Sequence, residues 1–346
     1  MARPTQRKAK KRGGCATGFF LFAFFLLLAL AGGGYWLFLL PFGPTTETFV
    51  DVAPGSSGMR IGRLLESAGV VRSRYGFDVV RSWKRGNLRA GEYRFDHPAT
   101  VLEVYERIAR GDVYTKAVTV PEGASMFDIA LRLEQAGFGP QQGFLREAQR
   151  QTALVAELDP GAKTLEGYLF PDTYHFSPKA TPVQIVTAMV KRFKQAADEV
   201  GLTTNVHKVV TIASLVERET AVDAERPLVA SVFENRLAKD MPLMTDPSVI
   251  YGLQVRQLWR GTIYASDLKR DTPYNTYLHA GLPPGPVANP GIPSLRAAMS
   301  PAQSTYLYFV AGNDNPQGKS VFASTLDEHN RNVATYRQAM KRAGSR

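Results

Sequence analysis

Thr211-Ile212-Ala213-Ser214-Leu215-Val216-Glu217-Arg218-Glu219-Thr220 is the stretch from which the rest of the chain is read. Apolar residues extend it upstream through Val209 and Val210, and no Gly or Pro follows until Pro227. The pattern predicts a buried helix carrying two acids near its C-terminal end. At ~100° per residue, Glu217 falls beside Val210, Ala213 and Ser214, and Glu219 beside Ile212, Leu215 and Val216. Neither position suits a solvated charge, and carboxylates are seldom buried without a partner or a task. A structural explanation pairs both with Arg218, Arg226 or Arg236; a catalytic one gives one of them a proton to move. Periodicity alone leaves the two acids equivalent.

Downstream lie Thr245-Asp246-Pro247-Ser248-Val249-Ile250-Tyr251-Gly252, Pro273-Tyr274-Asn275-Thr276-Tyr277 and Gly281-Leu282-Pro283-Pro284-Gly285-Pro286. These Asn-, Tyr-, Thr-, Gly- and Pro-rich segments read as loops that present amides, hydroxyls and ring faces, the groups sugars bind. Asp246-Pro247 is equally a common turn pair.

Most of the net charge of +11 sits in Arg3, Arg7, Lys8, Lys10, Lys11 and Arg12, ahead of the first acid, Glu47. This run abuts an apolar stretch, so it reads as a topology signal and not as a nucleic-acid arm. Phe19 to Leu40 is 22 residues without a charge. At ~1.5 Å per residue it spans ~33 Å, against a bilayer core of ~30 Å. Ala29-Leu30-Ala31 resembles a signal-peptidase site, but the apolar run resumes at Tyr35-Trp36-Leu37, with aromatics suited to a membrane interface. An uncleaved transmembrane anchor over 19–40 is therefore expected, with residues 1–18 cytoplasmic and the remainder periplasmic. The single cysteine, Cys15, precludes a disulfide framework within the chain. The five scattered histidines show no ligand spacing, so neither a metal nor a cofactor is expected.

An internal repeat follows the anchor. Val50-Asp51-Val52-Ala53-Pro54-Gly55-Ser56-Ser57 recurs 68 residues later as Val118-Thr119-Val120-Pro121-Glu122-Gly123-Ala124-Ser125. Each copy reads as a strand, a Gly turn, a Ser cap and a helix closed by Ala-Gly, and is followed by a second helix and a returning strand. A βααβ unit of this size looks like a LysM module, a type that binds N-acetylglucosamine-containing glycans; a purely structural duplication is the alternative. One LysM-like domain is expected over 47–116, and 117–176 is a candidate second unit. Further helices are expected from Thr100, over Pro182–Val200, after a cap at Asp223, briefly from Pro301, and over Glu328–Ala343. A strand is expected at Leu307–Val310. The fold class is α+β.

Together the segments quoted, with Leu165-Glu166-Gly167-Tyr168-Leu169-Phe170-Pro171-Asp172-Thr173-Tyr174, Asn289-Pro290-Gly291 and Tyr306-Leu307-Tyr308-Phe309-Val310-Ala311, resemble the YceG-like family of endolytic murein transglycosylases. The resemblance implies a catalytic region over 117–346 that cleaves the MurNAc–GlcNAc β-1,4 bond within peptidoglycan strands. One acid protonates the leaving oxygen, then takes the proton of the C6 hydroxyl as it attacks C1, leaving a 1,6-anhydro end. By motif position it places that acid at Glu217 and leaves Glu219 structural. Tyr251, Asn275, Tyr277 and Asp246 are the expected substrate contacts. The same resemblance implies action beside the wall-synthesis machinery. Two rivals are a non-catalytic, membrane-tethered peptidoglycan-binding scaffold and a hydrolase pairing Glu217 with Asp246.

Overall fold

The structure is a computed structural model and describes residues 14–312 and 319–344. The basic run Arg3 to Arg12, expected to be cytoplasmic, lies outside the described residues. The chain divides into two compact units, Met1–Thr115 and Lys116–Arg346.

The first unit begins with α1 (Gly14–Gly34) and a π-helical turn, Tyr35–Leu39. Within them Gly18–Leu39 is a 22-residue apolar helix, long enough to cross a bilayer. Then come β1 (Thr48–Val52), α2 (Gly58–Ser67), α3 (Arg74–Lys84), β2 (Gly91–Phe95) and α4 (Val101–Arg110). β1 and β2 pair antiparallel, with Val50 opposite Tyr93. The Ser57 and Ser73 hydroxyls cap α2 and α3, and Thr100 forms a capping box with Glu103 on α4. Val50, Val52, Ile61, Leu65, Phe77 and Tyr93 are among the side chains of its core.

The second unit repeats the same order with β3 (Lys116–Thr119), α5 (Met126–Gln135), α6 (Gln141–Arg150) and β4 (Thr173–Phe176). β3 and β4 pair antiparallel, and Ser125 with Asp128 forms the capping box of α5. This copy shares its core with the helices that follow it: Ile129, Leu133, Phe144 and Tyr168 pack in one cluster with Phe193, Val210, Leu215 and Phe233. Those helices are α7 (Pro182–Val200), α8 (Val206–Glu219), α9 (Arg226–Leu237), α10 (Asp246–Val255) and α11 (Ile292–Met299). A hairpin of β5 (Tyr308–Ala311) and β6 (Ser320–Ala323) and the terminal α12 (Leu326–Gly344) complete the unit.

Three local expectations fail for identifiable reasons. Thr245–Gly252, read as a loop, is helical: Asp246–Val255 forms α10, whose first turn accommodates Pro247. Residues 301–307 form no helix. Asn235 Nδ2 donates to the Ser304 and Tyr306 carbonyls, and Ser231 bonds Ser304, so α9 holds this stretch open. Asp223 does not cap α9; its carboxylate pairs with Arg226 Nε at 3.0 Å.

Candidate active site

Two residues along a helix is a rotation of ~200°, so Glu217 and Glu219 leave α8 on nearly opposite sides. The helix between them is fixed by burial of Val210 through Val216. Ser214 accepts a hydrogen bond from the Val287 amide at 3.0 Å, anchoring α8 to the Gly-Pro loop.

Glu217, the acid implied by motif position, points into protein. Its Oε1 lies 2.7 Å from Arg226 Nη1, with both side chains 5 % exposed. Its Oε2 accepts the Gly291 amide at 3.0 Å. Arg226 also donates to Ser294 Oγ at 2.6 Å. Both carboxylate oxygens are thus committed as acceptors within a network joining α8, α9 and the start of α11. Glu122, on the Gly turn of the second repeat, borders this network: a Cβ at Gly291 would overlap its carboxyl group, so any side chain there would push Glu122 aside. Burial, reinforced by the Glu217 charge, raises the Glu122 carboxyl above the usual range.

Glu219 faces a cleft of about 700 Å³. Arg236 from α9, Asp246 at the start of α10, Tyr277, Tyr308 from β5 and His329 from α12 also line it. Burial pushes the Glu219 carboxyl up to about 7, and the Asp246 charge adds to this; the Thr245 hydroxyl and the Arg236 and Arg218 charges oppose it. Its place on the last residue of α8, at the negative end of the helix dipole, also disfavours the charged form. Tyr277 donates its hydroxyl to Asp246 Oδ1 at 2.7 Å. Arg236 braces the wall, donating to the Leu307 carbonyl at 2.6 Å and the Leu243 carbonyl at 2.8 Å, with its guanidinium 5.2 Å from the Tyr308 ring centre.

Of the expected substrate contacts, Asp246 and Tyr277 reach the cleft. Tyr251 and Asn275 do not line it and are buried, at 1 % and 0 % exposed. Asn275 clamps its loop: Nδ2 donates to the Leu268 and Arg270 carbonyls, and Oδ1 accepts the Tyr277 amide. Tyr251 packs on Tyr274, ring centres 4.8 Å apart, and its hydroxyl is held well above its usual pKa by burial and the neighbouring Glu166. Glu166 is itself a buried latch. It accepts from the Met126 amide at the start of α5 and from Asn289 Nδ2, and burial raises it to about 8.

His329 is a titratable cleft residue that no sequence signal marked. Its ring stacks on Tyr308, centres 5.1 Å apart, and its Nδ1 is buried without a hydrogen-bond partner. Burial, with the Arg236 charge, holds its pKa below the usual value. It reaches the site only because α12 folds back over the hairpin.

The YceG-like family matches residues 50–335. A Bacillus subtilis protein named endolytic murein transglycosylase is 33% identical over 84% of this chain and 85% of its own length. A Streptococcus pneumoniae protein of the same name is 30% identical over 92% of this chain, which spans 65% of that longer protein. The crystal structure of a yceG-like protein from Listeria monocytogenes superposes with a TM-score of 0.54 at 32% identity, covering 83% of this chain and 99% of the other. With a match running from β1 into α12, this chain belongs to the YceG-like family.

Proposed function

We propose that the protein is an endolytic peptidoglycan lytic transglycosylase with Glu219 as its acid and base. The observation that carries this reading is a carboxyl group with a pKa of about 7, set in a cleft beside Asp246 and Tyr277. Such a group is protonated often enough near neutral pH to donate and basic enough to accept, which a free Glu near ~4.3 is not. Glu219 gives its proton to the glycosidic oxygen as the C1–O bond breaks. The resulting carboxylate then takes the proton of the C6 hydroxyl as that oxygen bonds to C1. No water is consumed, and the product ends in 1,6-anhydro-MurNAc. Asp246, negative and beside Glu219, raises the acid's proton affinity and stabilises positive charge developing at C1. Glu217, placed in the catalytic role by motif position, instead positions the helix end through Arg226.

The name of the relatives supports the reaction class, and the apolar helix Gly18–Leu39 supports anchoring in the bacterial inner membrane. The reading keeps the N-terminus cytoplasmic and the catalytic unit periplasmic, with the βααβ unit over 47–116 as a LysM-like glycan binder acting near the wall-synthesis machinery. Alkaline phosphatase fused after Arg346 reads the topology: an active reporter supports it, and an inactive one overturns it. Mass spectrometry of digested sacculi reads the chemistry. Anhydro ends support a lytic transglycosylase, new reducing ends a hydrolase, and no cleavage a binding scaffold. Comparing Glu219→Gln with Glu217→Gln assigns the acid: if folded Glu219→Gln cuts normally and Glu217→Gln does not, the acid is Glu217.

A further inference from the structure

Helix α3 presents a face that its own unit leaves uncovered. Its inner side, Gly76, Phe77 and Val80, is buried in the core. Its outer side carries Tyr75, Val79 and Trp83, which are 65%, 57% and 73% exposed. The spacing of four puts them in one stripe along the helix. Three large apolar side chains in a row form a contiguous patch, the kind of exposed surface that marks an interaction site.

Cations flank the stripe. Between residues 72 and 85 stand Arg72, Arg74, Arg81, Lys84 and Arg85; Asp78 pairs with Arg81 at 3.4 Å, and Glu106 from α4 pairs with Lys84 at 3.2 Å. Two of them reach over the stripe itself. The Arg74 guanidinium lies 4.8 Å from the Tyr75 ring centre, and Lys84 Nζ lies 5.2 Å from that of Trp83. An amphipathic helix with aromatic residues on one side and basic residues beside them is the composition of an interfacial helix.

Position decides the occupant. The C-terminal end of the apolar helix docks beside the start of α3. Leu37 packs so closely on Gly76 that a Cβ there would lie 3.2 Å from it. The Arg72 guanidinium sits 4.7 Å from the ring centres of both Trp36 and Phe42, and Arg72 donates to the Pro41 carbonyl at 3.3 Å. Phe38 packs against the core of the unit. A span of ~33 Å has its last turn at the bilayer boundary, so α3 begins at that boundary.

We propose that α3 lies on the outer surface of the membrane in which the chain is anchored, with Tyr75, Val79 and Trp83 in the headgroup–acyl boundary and its cations on lipid phosphates. This rests on the anchor reading given above. The excess of cations and the contact with the membrane helix favour lipid over a second protein at this face.

The chain's three tryptophans, Trp36, Trp83 and Trp259, make the test direct. The full chain is reconstituted in vesicles of phosphatidylethanolamine and phosphatidylglycerol with acyl chains brominated near the headgroup. One reporter keeps Trp83 alone (Trp36→Phe with Trp259→Phe), and the other keeps Trp36 alone (Trp83→Phe with Trp259→Phe). The expected result is a blue-shifted Trp83 emission, quenched by the brominated lipid and protected from aqueous iodide. Adding Tyr75→Ser and Val79→Ser should reverse the Trp83 signal. Quenched Trp36 with lipid-unquenched, iodide-accessible Trp83 overturns the proposal and leaves the anchor standing. Trp83 shielded from both quenchers also overturns it, in favour of a protein on this face. Unquenched Trp36 overturns the anchor reading and this proposal together.

Discussion

Arg226 Nη1 lies 2.7 Å from Glu217 Oε1, and each side chain is 5 % exposed, so the first acid of the Glu-Arg-Glu sequence is one half of a buried ion pair. Removing Arg226 leaves the Glu217 charge uncompensated in the protein interior, whereas removing Glu217 leaves Arg226 its pair with Asp223. Arg226→Met is expected to cost ~3–5 kcal/mol in urea denaturation. Glu217→Gln, which keeps the shape and one acceptor, should cost less. Its activity loss should track the folded fraction; a full loss of turnover in fully folded protein would contradict a purely positioning role.

Glu219→Gln should behave in the opposite way. Removing the proton-transfer group is expected to lower the rate by ~10²–10⁴-fold, with circular dichroism unchanged. Stability should not fall above neutral pH, where the wild-type carboxylate is the poorly accommodated form. The sign follows from a pKa raised from 4.5 to about 7 on folding: the stabilisation is complete below 4.5 and is lost as pH climbs through 7. Thermal melts of the two proteins between pH 4.5 and 8 should therefore converge or cross as pH rises.

With Glu219 as the proposed acid, the rate itself should decline above a pH of about 7, where its carboxyl loses the proton that cleavage would need. Asp246 contributes to that raised value through its charge. Asp246→Asn should accordingly move the alkaline limb of the pH–rate profile to lower pH. An unmoved limb in folded Asp246→Asn protein would count against Glu219 as the titrating acid.

Asn275→Ala tests the loop clamp. The substitution takes the donor from the carbonyls of Leu268 and Arg270 and frees the Tyr277 amide. The expected cost is at least ~1–3 kcal/mol in thermal or urea unfolding. Activity should fall through misplacement of Tyr277, so Tyr277→Phe and Asn275→Ala should be less than additive. Full additivity would mean that Asn275 acts on substrate separately.

The sequence alone determined what local physics determines. The Ser57, Thr100 and Ser125 caps, the Gly turns of the repeat, the charge-free run and the apolar register of α8 are all short-range patterns, and the structure has helices where they predict them. It also marked both glutamates as unusual, because charge on an apolar helix is visible in one dimension. Its periodicity did not separate them, and motif position pointed to Glu217. Their separation depends on which element packs against each side of α8, and those partners lie far away in the chain: Arg226 and Gly291 on one side, Asp246, Tyr277 and α12 on the other. Asn275 and Tyr251 carry groups suited to sugars, yet the fold uses their hydrogen bonds internally, and nothing in a residue's identity says whether its partner will be ligand or backbone. The exposure of Tyr75, Val79 and Trp83 is likewise settled only when the opposite face of α3 takes the core. Tertiary packing decides such questions because burial, the term that shifts a carboxyl pKa and commits a polar group, is a property of neighbours distant in sequence.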